Sequence, residues 1–126
     1  MPKTVPDRPG LEAGGYPFSK VVEANGFVFL AGQVGQAPDG HGAVQGGIAA
    51  ETRAMLDNVG RLLHAVDLDY GDVVRCTVYL RDFDDFAAFN LVYLEYFPTE
   101  PPARATVGVT ALAEDFGVEI EVTAAR

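Results

Sequence analysis

The chain has 126 residues, 48% of them apolar and 21% charged, which supplies material for one hydrophobic core at a length near the commonest domain size; a single domain over residues 1–126 is expected. No apolar run approaches the ~18 to 20 residues that a membrane span requires, so insertion in a bilayer is not expected. Eighteen acidic residues against nine basic give a formal charge of −9 with no basic stripe, which argues against nucleic acid as a partner.

The N-terminal run Met1-Pro-Lys-Thr-Val-Pro-Asp-Arg has no apolar stretch behind its basic residues, so no secretory signal is expected and the cytoplasm is the expected compartment. The single cysteine, Cys76, agrees with that, since it has no partner for an intrachain disulfide. The first regular elements are two β-rich runs within Val21–Val34, split by Asn25-Gly26, a strong hairpin signal. A Gly-rich loop over residues 35–47 follows.

From Ile48 to Val66 the apolar positions Ile48, Met55, Leu56, Val59, Leu62, Leu63 and Val66 recur at helical spacing, which predicts an amphipathic helix. After the polar turn 67–72, residues 73–80 alternate and read as a third strand, with Val74, Cys76, Val78 and Leu80 on one face. Residues 82–97 start with acidic residues and space Phe86, Phe89, Tyr93 and Tyr96 by three or four, which predicts a second helix stopped by Pro98. Two last strands, from Arg104 and from Val118, complete the order ββαβαββ.

That order favours an α+β domain with hairpin-like strand pairs at each end: a mixed, mostly antiparallel sheet with two helices on one face. The other face, expected to carry Val73, Arg75, Thr77 and Tyr79, is partly apolar, which suggests that subunits pack there.

Arg104 stands at the mouth of a strand, where its planar fork of donors suits a carboxylate; a surface salt bridge is the alternative. Glu119 and Glu121 project to one side of the last strand, so Glu119 in a cleft could orient or deprotonate water, unless both simply face solvent. Tyr16, in a Gly-rich loop, offers a phenol to a pocket or an aromatic anchor to the N-terminal arm. Cys76, on an apolar face, reads as a buried small hydrophobe. His41 and His64 form no His-x-x-x-His pair, so no metal is predicted. No dinucleotide or phosphate-binding glycine motif and no Gly-x-Ser-x-Gly occurs, so no cofactor and no serine-hydrolase chemistry is predicted.

Several segments together resemble the reactive intermediate deaminase (RidA, or YjgF-like) family: Gly15-Tyr16, Ala31-Gly32-Gln33, Leu56-Asp57-Asn58, the segment from Asp82 to Asn90, Pro102-Ala-Arg-Ala-Thr-Val and Val118-Glu-Ile-Glu-Val. The resemblance implies a chorismate-mutase-like (YjgF-type) fold, a homotrimer with sites between subunits, and hydrolysis of 2-imino or enamine acids such as 2-aminoacrylate to 2-keto acids and ammonia. It places Arg104 as the carboxylate clamp, Glu119 and Tyr16 as catalytic neighbours, and Gly32, Asn90 and Thr106 among the substrate-binding positions. Thr106 stands where the best-known members carry cysteine, and the loop from Val34 to Gly47 is richer in glycine than usual. Both differences leave room for a pathway-specific aminohydrolase, acting for example on aminomuconate, or for a non-catalytic small-ligand-binding member.

Overall fold

The computed structural model describes residues 2–126. Strand β1 (Val21–Ala24) turns into β2 (Phe27–Val34) through Asn25 and Gly26, with φ of 52° and 81°. Positive φ at both central residues gives a turn whose twist matches that of the flanking strands, which is why this dipeptide makes a hairpin. The loop after β2 ends in two left-handed residues, Gly46 (φ 115°) and Gly47 (φ 84°), from which helix α1 (Gly47–Ala65) starts.

Helix α1 buries Met55, Leu56, Val59, Leu62 and Leu63, the stripe that its spacing predicts. Each such side chain contributes about 2 kcal/mol when withdrawn from water, so packing against the sheet holds this helix more than intrinsic propensity does. A short 3-10 turn (Tyr70–Asp72) leads into β3 (Val73–Leu80). The second helix begins later than its pattern predicts. Asp82 accepts a hydrogen bond from the backbone N–H of Asp84 (2.9 Å) and caps a 3-10 turn over Phe83–Asp85, so α2 covers Phe86–Tyr96. Strands β4 (Ala103–Gly108) and β5 (Val118–Ala125) follow.

The sheet order is β1-β2-β5-β3-β4, antiparallel at every junction except the parallel pair β3–β4. The mixed, mostly antiparallel sheet is therefore as expected, but the last two strands are not a hairpin-like pair. Strand β5 inserts between β2 and β3, and β4 lies at the far edge beside β3. The long link between them, with Pro-free irregular backbone over 109–117, gives β5 the reach to cross β3.

Cys76, Val78 and Leu80 of β3 and Val118, Ile120 and Val122 of β5 are buried on the helix side. A register shift between Val73 and Arg75 reverses the first two residues of β3, so Val73 is buried and Val74 is exposed, opposite to the expected alternation. The open face presents Phe27 and Phe29, both substantially exposed, beside Arg75, Thr77, Glu121 and Thr123. No helix is long and apolar enough to cross a membrane among the described residues.

Candidate active site

The ladder between β2 and β5 slips between Leu30 and Gln33, lifting Ala31 and Gly32 out of regular pairing. Gln33 ties this bulge down, its Nε2 donating to the carbonyls of Ala31 and Gly32 at 3.1 Å each. Across the strand, Glu119 extends its carboxylate over Gly32, where a Cβ would stand 2.4 Å from Glu119 Oε2. Glycine at 32 is thus the condition for the carboxylate to occupy this place.

Glu119 and Gly32 share a hollow of about 470 Å³ with Tyr16, Phe18, Lys20 and Phe116. Tyr16 and Phe18 stack at 5.5 Å between ring centroids, yet are 66% and 52% exposed. Burial pushes the Glu119 carboxyl above the usual carboxylate range, and the charge of Glu121 adds to the shift. Glu121 itself accepts a hydrogen bond from the hydroxyl of Tyr79, the β3 residue that pairs with Glu119. A carboxyl raised in this way holds its proton more readily than an ordinary glutamate, which suits it to proton transfer.

Arg104 lies elsewhere. Edge strand β4 pairs it with Cys76, so it projects to the helix side of the sheet, where α2 receives it. Its guanidinium carbon is 4.6 Å from the Tyr93 ring centroid, 5.4 Å from Phe89 and 5.8 Å from Phe86, so three aromatic faces hold the cation. Among the described residues no carboxylate pairs with it. The surface salt bridge that the sequence left open is therefore absent, and the donor fork is available to an acid from outside. Asn90, Tyr93, Leu94, Pro101 and Pro102 line a second hollow of about 470 Å³ with Arg104.

Two of the six expected site residues thus meet in one place and three in another. Tyr16, Gly32 and Glu119 belong to the first hollow; Arg104 and Asn90 belong to the second. Thr106 lines neither, but it shares the helix-side face of β4 with Arg104, and its Oγ1 is buried without a hydrogen-bond partner. Strand β3 separates the two groups, and they occupy opposite faces of the sheet. Cys76 is buried, and burial raises its thiol pKa, which makes it a poor nucleophile.

Sequence reasoning missed the aromatic seat of Arg104, because Phe86, Phe89 and Tyr93 at helical spacing read as plain core. It also missed Phe18 and Lys20, which two positions of alternation along the arm could have suggested from Tyr16. Among the described residues no group of three His, Cys, Asp or Glu side chains is placed to hold a metal ion.

Residues 11–126 match the family described as Endoribonuclease L-PSP. A RutC family protein of Pyrococcus horikoshii is 42% identical over 108 residues, covering 86% of each chain. The human 2-iminobutanoate/2-iminopropanoate deaminase is 38% identical over 108 residues, 86% of this chain and 79% of that one. Among solved structures, the yeast protein YEO7 superposes with a TM-score of 0.89 at 33% identity, covering 99% of both chains. E. coli TdcF with bound serine superposes with a TM-score of 0.81 at 32% identity, over 88% of this chain and 89% of that one. On the match across nearly its whole length and on the shared fold, the chain belongs to the RidA/YjgF family of reactive intermediate deaminases.

Proposed function

We propose that this protein hydrolyses 2-imino and enamine acids to 2-keto acids and ammonia, without a cofactor, as a homotrimer whose sites form where the Glu119 hollow of one copy meets the Arg104 hollow of the next. The observation that carries this reading is Arg104. It is a guanidinium seated on three rings with no carboxylate partner among the described residues of its own chain, on a protein otherwise rich in carboxylates. Such a group is suited to clamp the carboxylate of a small acid with two parallel hydrogen bonds.

In the reaction, the enamine first tautomerises to the imine. Water then adds its oxygen to the imine carbon while the nitrogen takes a proton. The carbinolamine so formed loses ammonia as the C–N bond breaks and the carbonyl forms. Glu119 would accept a proton from the attacking water and return it to the departing nitrogen, with Tyr16 beside it. The imine carbon is already electrophilic, so holding the substrate against one carboxyl and one water is sufficient work for a site of this kind.

The names of the human, bovine and mouse relatives support this chemistry. The family description names an endoribonuclease, but the charge of −9 is unsuited to a phosphate backbone. The cytoplasm, where imines and enamines arise from amino-acid metabolism, is the proposed compartment. The test is ammonia release from imines generated in situ by an amino-acid oxidase. Acceleration by wild type that disappears in Arg104→Ala supports the reading. No acceleration with small, branched or aromatic imines would turn attention to a dedicated aminohydrolase or a ligand-binding member.

A further inference from the structure

We infer that Glu51, on α1, is the positioning residue of the Glu119 half of the site, holding the ends of β2 and β5 against one helix so that Gly32 and Glu119 meet. This rests on the reading of Glu119 as the proton-transferring group. Glu51 is a charged side chain in the core, only 7% exposed, and it makes no ion pair among the described residues. Its Oε2 accepts from the backbone N–H groups of Gly117 (2.7 Å) and Val118 (3.2 Å), the two residues immediately before Glu119. The Gly117 carbonyl is held in turn by the backbone N–H of Arg81 (3.0 Å).

The same residue sets the other side of the half-site. Gly35, three residues beyond Gly32, packs so tightly on Glu51 that a Cβ there would stand 2.3 Å from the Glu51 carbonyl oxygen and 2.9 Å from its Cγ. Seven residues on, at two helical turns and hence on the same face, Asn58 donates from Nδ2 to the Val34 carbonyl at 2.8 Å. Helix α1 therefore grips β2 after Gly32 and β5 before Glu119. Loss of the Glu51 contact frees the strand end that carries the carboxyl, while Arg104, on the opposite face, is untouched.

Both amides converge on one oxygen, so a glutamine carbonyl can accept the same pair, whereas methionine fills the space and accepts neither. For wild type, Glu51→Gln and Glu51→Met, kcat and KM are measured on an imine generated in situ. Alongside, the 13C shift of the Glu119 carboxyl is followed against pH. The expected result for Glu51→Met is a kcat lower by about ten- to a hundredfold with KM changed less than about threefold, and Glu51→Gln restores most of kcat. The Glu119 titration midpoint falls toward that of an ordinary glutamate in Glu51→Met and falls less in Glu51→Gln. Both variants remove the charge of Glu51, so the difference between them reports the hydrogen bonds alone.

Unchanged kcat and unchanged Glu119 titration in a folded Glu51→Met overturn the inference, as does a Glu51→Gln that behaves like Glu51→Met. If Glu51→Met does not fold, Glu51→Asp, which withdraws the oxygen by one methylene, must show the same split of kcat from KM. If wild type has no imine hydrolase activity, the proposed function fails on its own, and the Glu119 titration still decides the role of Glu51.

Discussion

Gly32 lies directly beneath Glu119: a methyl group on Gly32 would come within 2.4 Å of Glu119 Oε2 and 3.1 Å of its carboxyl carbon. The atoms it would strike are the end of a flexible side chain, and Gly32 is not among the positive-φ glycines, so the backbone accepts alanine. Gly32→Ala is expected to leave the melting temperature within about 3 °C of wild type, because nothing in the core moves. The carboxyl must move aside, and kcat on an imine substrate falls by about tenfold or more. Thermal melting beside steady-state kinetics checks both halves of this expectation.

Arg104 is held by rings, and that makes lysine a poor substitute. An ammonium lacks the planar fork that grips a carboxylate at two points and stacks less well on Phe86, Phe89 and Tyr93. Arg104→Lys is expected to lower kcat/KM by about ten- to a hundredfold, the worth of one charge-assisted hydrogen bond. Measured on a 2-imino acid, the loss should fall mainly on KM, since the clamp binds substrate and transition state alike.

The raised Glu119 pKa carries a sign for stability as well as for rate. A carboxyl that holds its proton more tightly folded than unfolded contributes stability below the ordinary glutamate pKa and loses it as pH rises through the folded value. At neutral pH the ionised, partly buried Glu119 therefore costs stability. Glu119→Gln is expected to melt higher than wild type at pH 7, with the gain shrinking as the pH is lowered below the ordinary glutamate range, and to lose activity. The acid limb of kcat/KM should lie above the ordinary glutamate range in wild type. It should move down in Glu121→Gln, which removes the second cause of the shift.

Because Arg104 and Glu119 sit on opposite faces with β3 between them, each proposed site takes one from either of two copies. Arg104→Ala and Glu119→Gln, each inactive alone, should then complement when mixed and refolded together. In a random mixture about a quarter of the sites would carry both native residues. Light scattering should give three times the 13.4 kDa chain mass. A monomer, or a mixture with no recovered activity, would sink the shared-site arrangement.

The elements that could be read in the sequence are those whose signal is local. Asn25-Gly26 needs only its own φ preferences to make a turn, and α1 announces itself by its stripe. The failures in strand order and register are non-local. Nothing in the alternation of β5 says that it will leave β4 and pair with β2 and β3, because its two faces look the same beside either neighbour. The exchange of Val73 and Val74 follows from a slip against β5 that neither strand encodes alone. Glu119 and Arg104 were identifiable through a family resemblance, whereas Glu51 was lost among the polar positions of α1. Its partners, Gly117 and Val118, are 66 and 67 residues away.

The placement of β5 also bears on how the chain is made. It is the last of the five strands in chain order and occupies the middle of the sheet, with Ile120 and Val122 at its centre. Until it emerges from the ribosome, the hairpin β1–β2 and the pair β3–β4 have no strand joining them, and each shows a bare edge that other nascent chains could pair with. Folding of this sheet is therefore completed only when one segment, β5, closes two half-sheets.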